Sequence, residues 1–438
     1  MIESNRVAVV SAVRSPFGKF GGALKNFTLP ELGGLVFAEA LRRAGVDPAD
    51  VEEVATGVNL PGSDRSIARQ VLIQAGIPPH RVAYTVDRAC CSSMAAISMC
   101  SRGIRLGEVE VAVAGGTENM SRVPYFLTTQ RFGHALGDIV LKDQLVIACP
   151  MTGKPRAVQA GEEAVEFGAT REEQDAWALR SHRNHLAARE AGKLDVEVMP
   201  IEVTPERGEP FVFGQDESAR PDTTLEKLAK LTTVYGSPTV TAGNAPGLNT
   251  GASAMVLMSP REAERRGTKP LATLIGWAMA SGHPDRIASI PAQSARLALE
   301  KVGLTVDELD LIEINEAFAA VPLVATLVMA GGDPERAAAI RAKTNVNGGS
   351  IAIGHPTGAT GARLVMTLIY ELRRRREAAG DSRPYRGVAT ICGGVGEAEA
   401  IVVEVADCPR DSTGSSRGWH AREPARRRPR TERRRAAG

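Results

Sequence analysis

Aromatic residues are scarce, at 4% of 438 positions, while Gly is plentiful at 44. This balance argues against an aromatic-lined binding surface and for tightly packed α/β structure with many sharp turns. The six Cys (Cys90, Cys91, Cys100, Cys149, Cys392, Cys408) contain no CxxC spacing, and the seven His contain no HExxH. A disulfide framework and a zinc site are therefore unsupported, and no metal is expected. The longest apolar stretch, residues 317–332, is interrupted by Pro322 and falls short of the ~20 residues a membrane-spanning helix needs. The first residues read as the approach to a strand at 7–10, with no long apolar segment of a signal peptide. These absences together point to the cytoplasm, where thiols stay reduced and an accessible Cys can act as a nucleophile.

A net charge of +2 conceals an uneven distribution. Residues 407–438 hold ten Arg against four acids, so the rest of the chain is mildly negative. A mildly acidic body is no general nucleic-acid binder, and the Arg-rich tail reads as a disordered, solvated extension. The apolar fraction of 43% is ample for a core, and the length suggests two or three domains.

Short β-branched runs alternate with amphipathic stretches. Strands are expected at 7–10, 54–57, 82–86 and 109–114, with helices at 32–44, 65–75 and 90–102 between them. Residues 121–249 break the pattern, with loops and one clear helix whose Thr170 and Glu173 have capping-box spacing. The rhythm returns with strands at 272–275, 309–313, 344–346, 388–392 and 400–405 and helices at 291–302 and after Asn315. Two α/β halves of similar rhythm, with an excursion inserted in the first, is the organisation this implies.

Four segments carry chemistry. In Val86-Asp87-Arg88-Ala89-Cys90-Cys91-Ser92-Ser93-Met94 a strand delivers a Cys to the start of a helix, whose unpaired amides and positive dipole end favour a thiolate. A buried structural Cys is the alternative, and Cys91 leaves open which of the two attacks. The segment 345–361 sets His355 among five glycines, a candidate base or oxyanion donor; it lacks the Gly-Lys-Ser/Thr ending of a nucleotide phosphate loop. In Ile391-Cys392-Gly393-Gly394-Val395-Gly396 a strand again ends in Cys before a Gly turn whose amides can face an oxyanion. Asn315, in Asn315-Glu316-Ala317-Phe318, follows a strand and either orients a water or caps a helix.

Taken together, these four segments resemble the thiolase family of acyl-CoA C-acyltransferases. Supporting stretches are Arg14-Ser15-Pro16-Phe17-Gly18-Lys19, Gly115-Gly116-Thr117-Glu118-Asn119-Met120-Ser121 and Thr241-Ala242-Gly243-Asn244-Ala245, and the resemblance runs from about residue 5 to 405. It implies two βαβαβαββ halves packed face to face in five α-β-α-β-α layers, divided as 1–120 plus 251–269, an inserted loop domain 121–250 over the CoA site, and 270–406. It implies cleavage of 3-ketoacyl-CoA by CoA, or the reverse condensation, through acyl-Cys90. His355 then activates the nucleophile, Asn315 holds a water in one oxyanion hole, and Cys392 shuttles a proton. The amides of Cys90 and Gly394 form the other hole. Arg220, Ala245 and Pro246 fall where the family contacts CoA. No cofactor is implied beyond CoA and acyl-CoA as substrates, and a homodimer or homotetramer is expected.

The sequence departs from the family pattern at several places. Pro246 replaces a pantetheine-contacting Ser, Arg156 replaces a His, and Ala157 replaces a Met near the acyl pocket. The Ala157 change suggests room for medium or branched acyl groups in a degradative enzyme. The alternatives are a biosynthetic acetoacetyl-CoA thiolase, a ketoacyl synthase and a non-catalytic acyl-CoA-binding subunit. A synthase would want His in place of Asn315, and the retained quartet Cys90, Asn315, His355 and Cys392 argues against a non-catalytic role.

Overall fold

The computed structural model describes residues 6–406 except 129 and 147; the Arg-rich tail expected to be disordered lies outside them. Its centre is a sheet built from β1 (Val7–Arg14), β2 (Glu53–Gly57), β3 (Val82–Val86), β4 (Val111–Asn119), β5 (Asn249–Met258), β6 (Ala272–Ser281), β7 (Leu311–Ile314), β8 (Tyr385–Gly393) and β9 (Glu397–Val405). The spatial order is β7-β8-β9-β6-β1-β5-β4-β2-β3, with Gly18–Lys19 paired to β5. The principal helices are α1 (Leu29–Ala44), α2 (Ile67–Gln74), α3 (Ser92–Leu106), α4 (Arg156–Glu166), α5 (Arg171–Glu190), α6 (Ile290–Glu300), α7 (Ala320–Met329), α8 (Pro334–Ala342) and α9 (Thr357–Ala379).

The two halves repeat one topology. Moving outward from the seam, the first half runs first, fifth, fourth, second and third strand; the second half does the same. Its third strand, expected at 344–346, has shrunk to a single parallel bridge between Ile312 and Thr344. The halves also join edge to edge, because β1 pairs antiparallel with β6 at Val7–Leu274, Ala8–Thr273 and Val9–Ala272. α3 and α9 pack against each other and touch strands of both halves, while α1 and α2 cover the outside of the first and α6 the outside of the second.

β1 shows how the sequence builds these layers. Val7 and Val9 face the core around α3 and α9, whereas Ala8 and Val10 face the core around α1 and α2. This is the two-residue period of a strand buried on both faces. A bulge between Val9 and Ser11 reverses the parity, so Ala12 faces inward and Val13 outward. Helix ends follow local chemistry. Thr28 and Glu31 form a capping box before α1 and Gly45 closes it at φ 63°, and Thr170 and Glu173 form the box of α5. The excursion between β4 and β5 is not a separate body: Ala157, Ala160, Ala164 and Trp177 share a core with α6 and α7.

Candidate active site

α3 and α9 approach so closely because their first turns are made of small residues. A Cβ on Gly361 would lie 2.6 Å from the Met94 amide, and one on Gly116 of β4 would lie 1.9 Å from the Gly358 carbonyl. Ser93 Oγ accepts from the Ala362 amide at 3.0 Å, locking the two first turns together. Cys90 stands two residues before α3, and His355 two residues before α9.

The turn carrying Cys90 is over-determined. Ala89 adopts φ 49°, unusual for a residue with a Cβ. Asp87 Oδ1 accepts from the Ala89 amide at 3.0 Å, and Ser92 Oγ accepts from the Arg88 amide at 2.9 Å while donating to the Ala89 carbonyl at 2.6 Å. Arg88 pairs with Glu397 and Glu399 of β9, both at 2.6 Å. This settles which cysteine is accessible. Cys91 is fully buried and its Sγ–H donates to the Ile391 carbonyl at 3.4 Å; Cys90 is partly exposed. The expected thiolate-favouring surroundings are outweighed, however. Burial pushes the Cys90 thiol up to about 12, with Arg156 acting against it and Glu118 and Asp87 adding to it. At neutral pH Cys90 is held as a thiol.

The hydrogen bonds around His355 favour one tautomer. Thr360 Oγ1 donates to the Pro356 carbonyl at 2.9 Å, so it must accept from His355 Nδ1–H, 2.8 Å away. His355 Nε2 is therefore the lone-pair nitrogen, and Asn315 Nδ2 lies 3.3 Å from it. The Asn315 amide is oriented in turn. Its Oδ1 accepts from Ser350 Oγ at 2.7 Å, and that oxygen accepts from Arg363 Nη2 at 2.9 Å. Burial and the Arg363 charge lower the His355 pKa to about 3, leaving the ring neutral. Glu118 fixes the helix that follows His355, accepting from Thr357 Oγ1 at 2.7 Å and the Gly358 amide at 2.9 Å.

Cys392 is buried near the end of β8. Its thiol is raised first by burial and then by neighbouring Cys90. The Gly turn beyond it abuts the turn that carries Cys90. A Cβ on Gly393 would lie 3.2 Å from Cys91 Sγ, and one on Gly394 would lie 2.9 Å from Arg156 Nη2 and 3.5 Å from Ala89 Cβ. Gly396 completes the turn at φ 69°.

The residues expected at the CoA end are spread out. Arg220 is exposed, and its amide donates to His182 Nδ1 at 3.3 Å. Ala245 and Pro246 are half-buried beside Asn244, whose carbonyl accepts from the Ala319 amide at 2.9 Å and ties this loop to the segment after Asn315. Ala157 is buried in the outer core with Ala160 and Ala164, so its small size is used for packing there. Among the described residues no cluster could hold a metal ion, and no helix is long and apolar enough to cross a membrane. Sequence reasoning missed Thr360, Ser350 and Arg363. A Thr five residues after His355 was the one local signal available.

Known proteins match this architecture throughout. The family model described as thiolase, N-terminal domain, matches residues 7–261, and thiolase, C-terminal domain, matches residues 268–405. Acetyl-CoA acetyltransferase of Chromobacterium violaceum is 39% identical over 91% of this chain and 99% of its own length. That of Cupriavidus necator is 40% identical with the same coverage. The solved acetyl-CoA acetyltransferase of Bacillus anthracis superposes with a TM-score of 0.85 at 40% identity, covering 92% of this chain and 100% of its own. Human mitochondrial 3-ketoacyl-CoA thiolase superposes at 0.85 with 38% identity, covering 92% and 99%.

Proposed function

Because the chain belongs to the thiolase family, we propose that it is an acyltransferase that cleaves 3-ketoacyl-CoA with CoA, or runs the reverse condensation, through an acyl group on Cys90. The observation that carries this reading is the gathering of one partly exposed thiol, one neutral imidazole whose Nε2 faces an oriented Asn, and a second, buried thiol at a strand end, the first thiol and the imidazole each standing two residues before one of two facing helices.

His355 Nε2 takes the Cys90 proton as sulfur attacks the keto carbon. The tetrahedral alkoxide forms against the amides of Cys90 and Gly394. Its collapse breaks the carbon–carbon bond, and the electron pair passes to the thioester as an enolate, which a water held by Asn315 and the His355 edge stabilise. Cys392 gives its proton to the enolate carbon and acetyl-CoA leaves. The Cys392 thiolate then deprotonates CoA, whose sulfur takes the acyl group from Cys90, and the departing Cys90 thiolate recovers its proton from His355. Arg220, Ala245 and Pro246 border the CoA path. Apart from that water, the scheme uses CoA and acyl-CoA alone.

The same reading divides the chain into 1–120 plus 251–269, the insertion 121–250 and 270–406, with a homo-oligomeric assembly in the cytoplasm. Five unpaired thiols among the described residues suit that compartment. We assign the degradative direction on chains longer than four carbons, a reading supported by the likeness to human mitochondrial 3-ketoacyl-CoA thiolase and no longer by Ala157, which is used for packing. The name acetyl-CoA acetyltransferase borne by two relatives supports acetoacetyl-CoA formation as the second reading. Thiolysis across 3-ketoacyl-CoA chain lengths, with Cys90→Ala in parallel, decides. Turnover peaking above four carbons and absent in the variant supports the first reading, turnover of acetoacetyl-CoA alone supports the second, and turnover surviving Cys90→Ala refutes both.

A further inference from the structure

Arg156 is a cation without a counter-ion. Among the described residues it forms no ion pair, and its one hydrogen bond runs from Nη1 to Gln159 Oε1 at 2.9 Å. Its Nε is buried without a partner. Gln159 is itself anchored, donating to Asp285 Oδ1 at 2.6 Å, so the guanidinium is held in place. The held group lies against the active-site turns. Nη2 is the atom nearest the position a Gly394 Cβ would take, at 2.9 Å, with Cζ at 3.3 Å and Ala89 Cβ at 3.5 Å. Gly394 and the residue after Ala89, Cys90, are the two whose amides form the oxyanion hole in the reading above.

We infer that Arg156 is a catalytic residue, a charged third donor to the oxyanion formed on Cys90, through Nη2–H. This rests on the acyltransferase reading. The anion that completes the pairing is absent from the resting protein and appears when sulfur bonds to the carbonyl carbon and the carbonyl π pair moves to oxygen. It appears twice per cycle, on acylation and on deacylation, and each time collapse returns the pair to the carbonyl as the carbon–carbon or carbon–sulfur bond breaks. A carboxylate at the far end of an acyl chain is a poorer match, because the guanidinium stands beside the reacting bond. A fixed cation here also offsets the cost of ionising the partly exposed Cys90 and the buried Cys392. Cys90 is faced by Arg156, Glu118 and Asp87, and Cys392 by Cys90, Glu163 and Arg156; Arg156 is the one cation in both sets.

The test uses Arg156→Gln and Arg156→Lys in the full chain, with two readouts. In thiolysis of an uncharged 3-ketoacyl-CoA, Arg156→Gln is expected to lose about 10²-fold in kcat with KM changed by less than about threefold, and Arg156→Lys to recover most of the loss. In alkylation of Cys90, the rate ratio of iodoacetate to iodoacetamide is expected to fall roughly tenfold in Arg156→Gln, the effect of one neighbouring charge. Unchanged kcat, a loss confined to KM, or an unchanged alkylation ratio overturns the inference. A loss seen only with substrates carrying a terminal carboxylate overturns it in favour of an acyl-carboxylate clamp. Absence of thiolysis in the wild type, with the alkylation ratio still sensitive to Arg156, overturns the acyltransferase reading and this inference with it.

Discussion

Thr360 Oγ1 lies 2.8 Å from His355 Nδ1 and is committed as a donor to the Pro356 carbonyl, so one hydroxyl decides which imidazole nitrogen carries the proton. Thr360 sits in the first turn of α9, and the regular geometry of that turn aims its side chain back at residue 355.

Replacing Thr360 by Val keeps the shape but removes the acceptor for Nδ1–H. The ring then favours the wrong tautomer in a fraction of molecules. A fall in kcat on the order of 10²-fold is expected, with KM little changed and Thr360→Ser close to wild type. Steady-state thiolysis of the three proteins checks this, and equal kcat values would remove Thr360 from the mechanism.

With its thiol raised to about 12, Cys90 has no plateau of thiolate in the neutral range. The iodoacetamide rate is expected to climb about tenfold per pH unit from pH 7 to 10. Peptide mapping should find the label on Cys90 and not on Cys91, whose sulfur is fully buried. A plateau below pH 9, or label on Cys91, contradicts this picture.

His185 is fully buried, neither ring nitrogen has a hydrogen-bond partner among the described residues, and burial lowers its pKa to about 4 against the pull of Asp216, 3.6 Å from Nε2. The unfolded chain protonates it near 6.5, so its contribution to stability is full above that pH and is lost as pH falls toward 4. The loss is on the order of 3 kcal/mol. Urea unfolding of His185→Leu should depend less steeply on pH between 6.5 and 4 than that of the wild type. Parallel profiles would show that the native protein protonates this ring.

Gly116→Ala places a methyl 1.9 Å from the Gly358 carbonyl, a backbone atom that cannot step aside. The expected result is displacement of the α9 first turn that follows His355. Thiolysis should fall more than tenfold, with a destabilisation of about 1–3 kcal/mol. Activity and thermal unfolding measured together check this; an active, stable variant would mean that β4 and α9 separate easily.

Much of the fold was written locally. The expected 82–86 strand is found unchanged, the capping box at Thr170 starts α5, and Gly45 stops α1. These features depend on neighbours in the chain. Misreadings concern sites where distant parts meet. The expected strand at 344–346 is one bridge. The helix expected to follow Asn315 starts only at Ala320, the stretch between being held by Glu316, which accepts from Trp177 and Ser181 of α5.

The sequence by itself determined the alternation of strands and helices, the four segments that carry chemistry, and the family they resemble, because spacing and residue type survive in one dimension. Tertiary structure alone decided that Cys90 rather than Cys91 is accessible, that burial outweighs the helix terminus at the Cys90 thiol, and that His355 is neutral with Nε2 facing Asn315. It also placed Arg156 over Gly394. Each of these depends on what lies across a contact between segments far apart in the chain. Desolvation and hydrogen-bond direction are properties of such contacts and have no signature in local sequence.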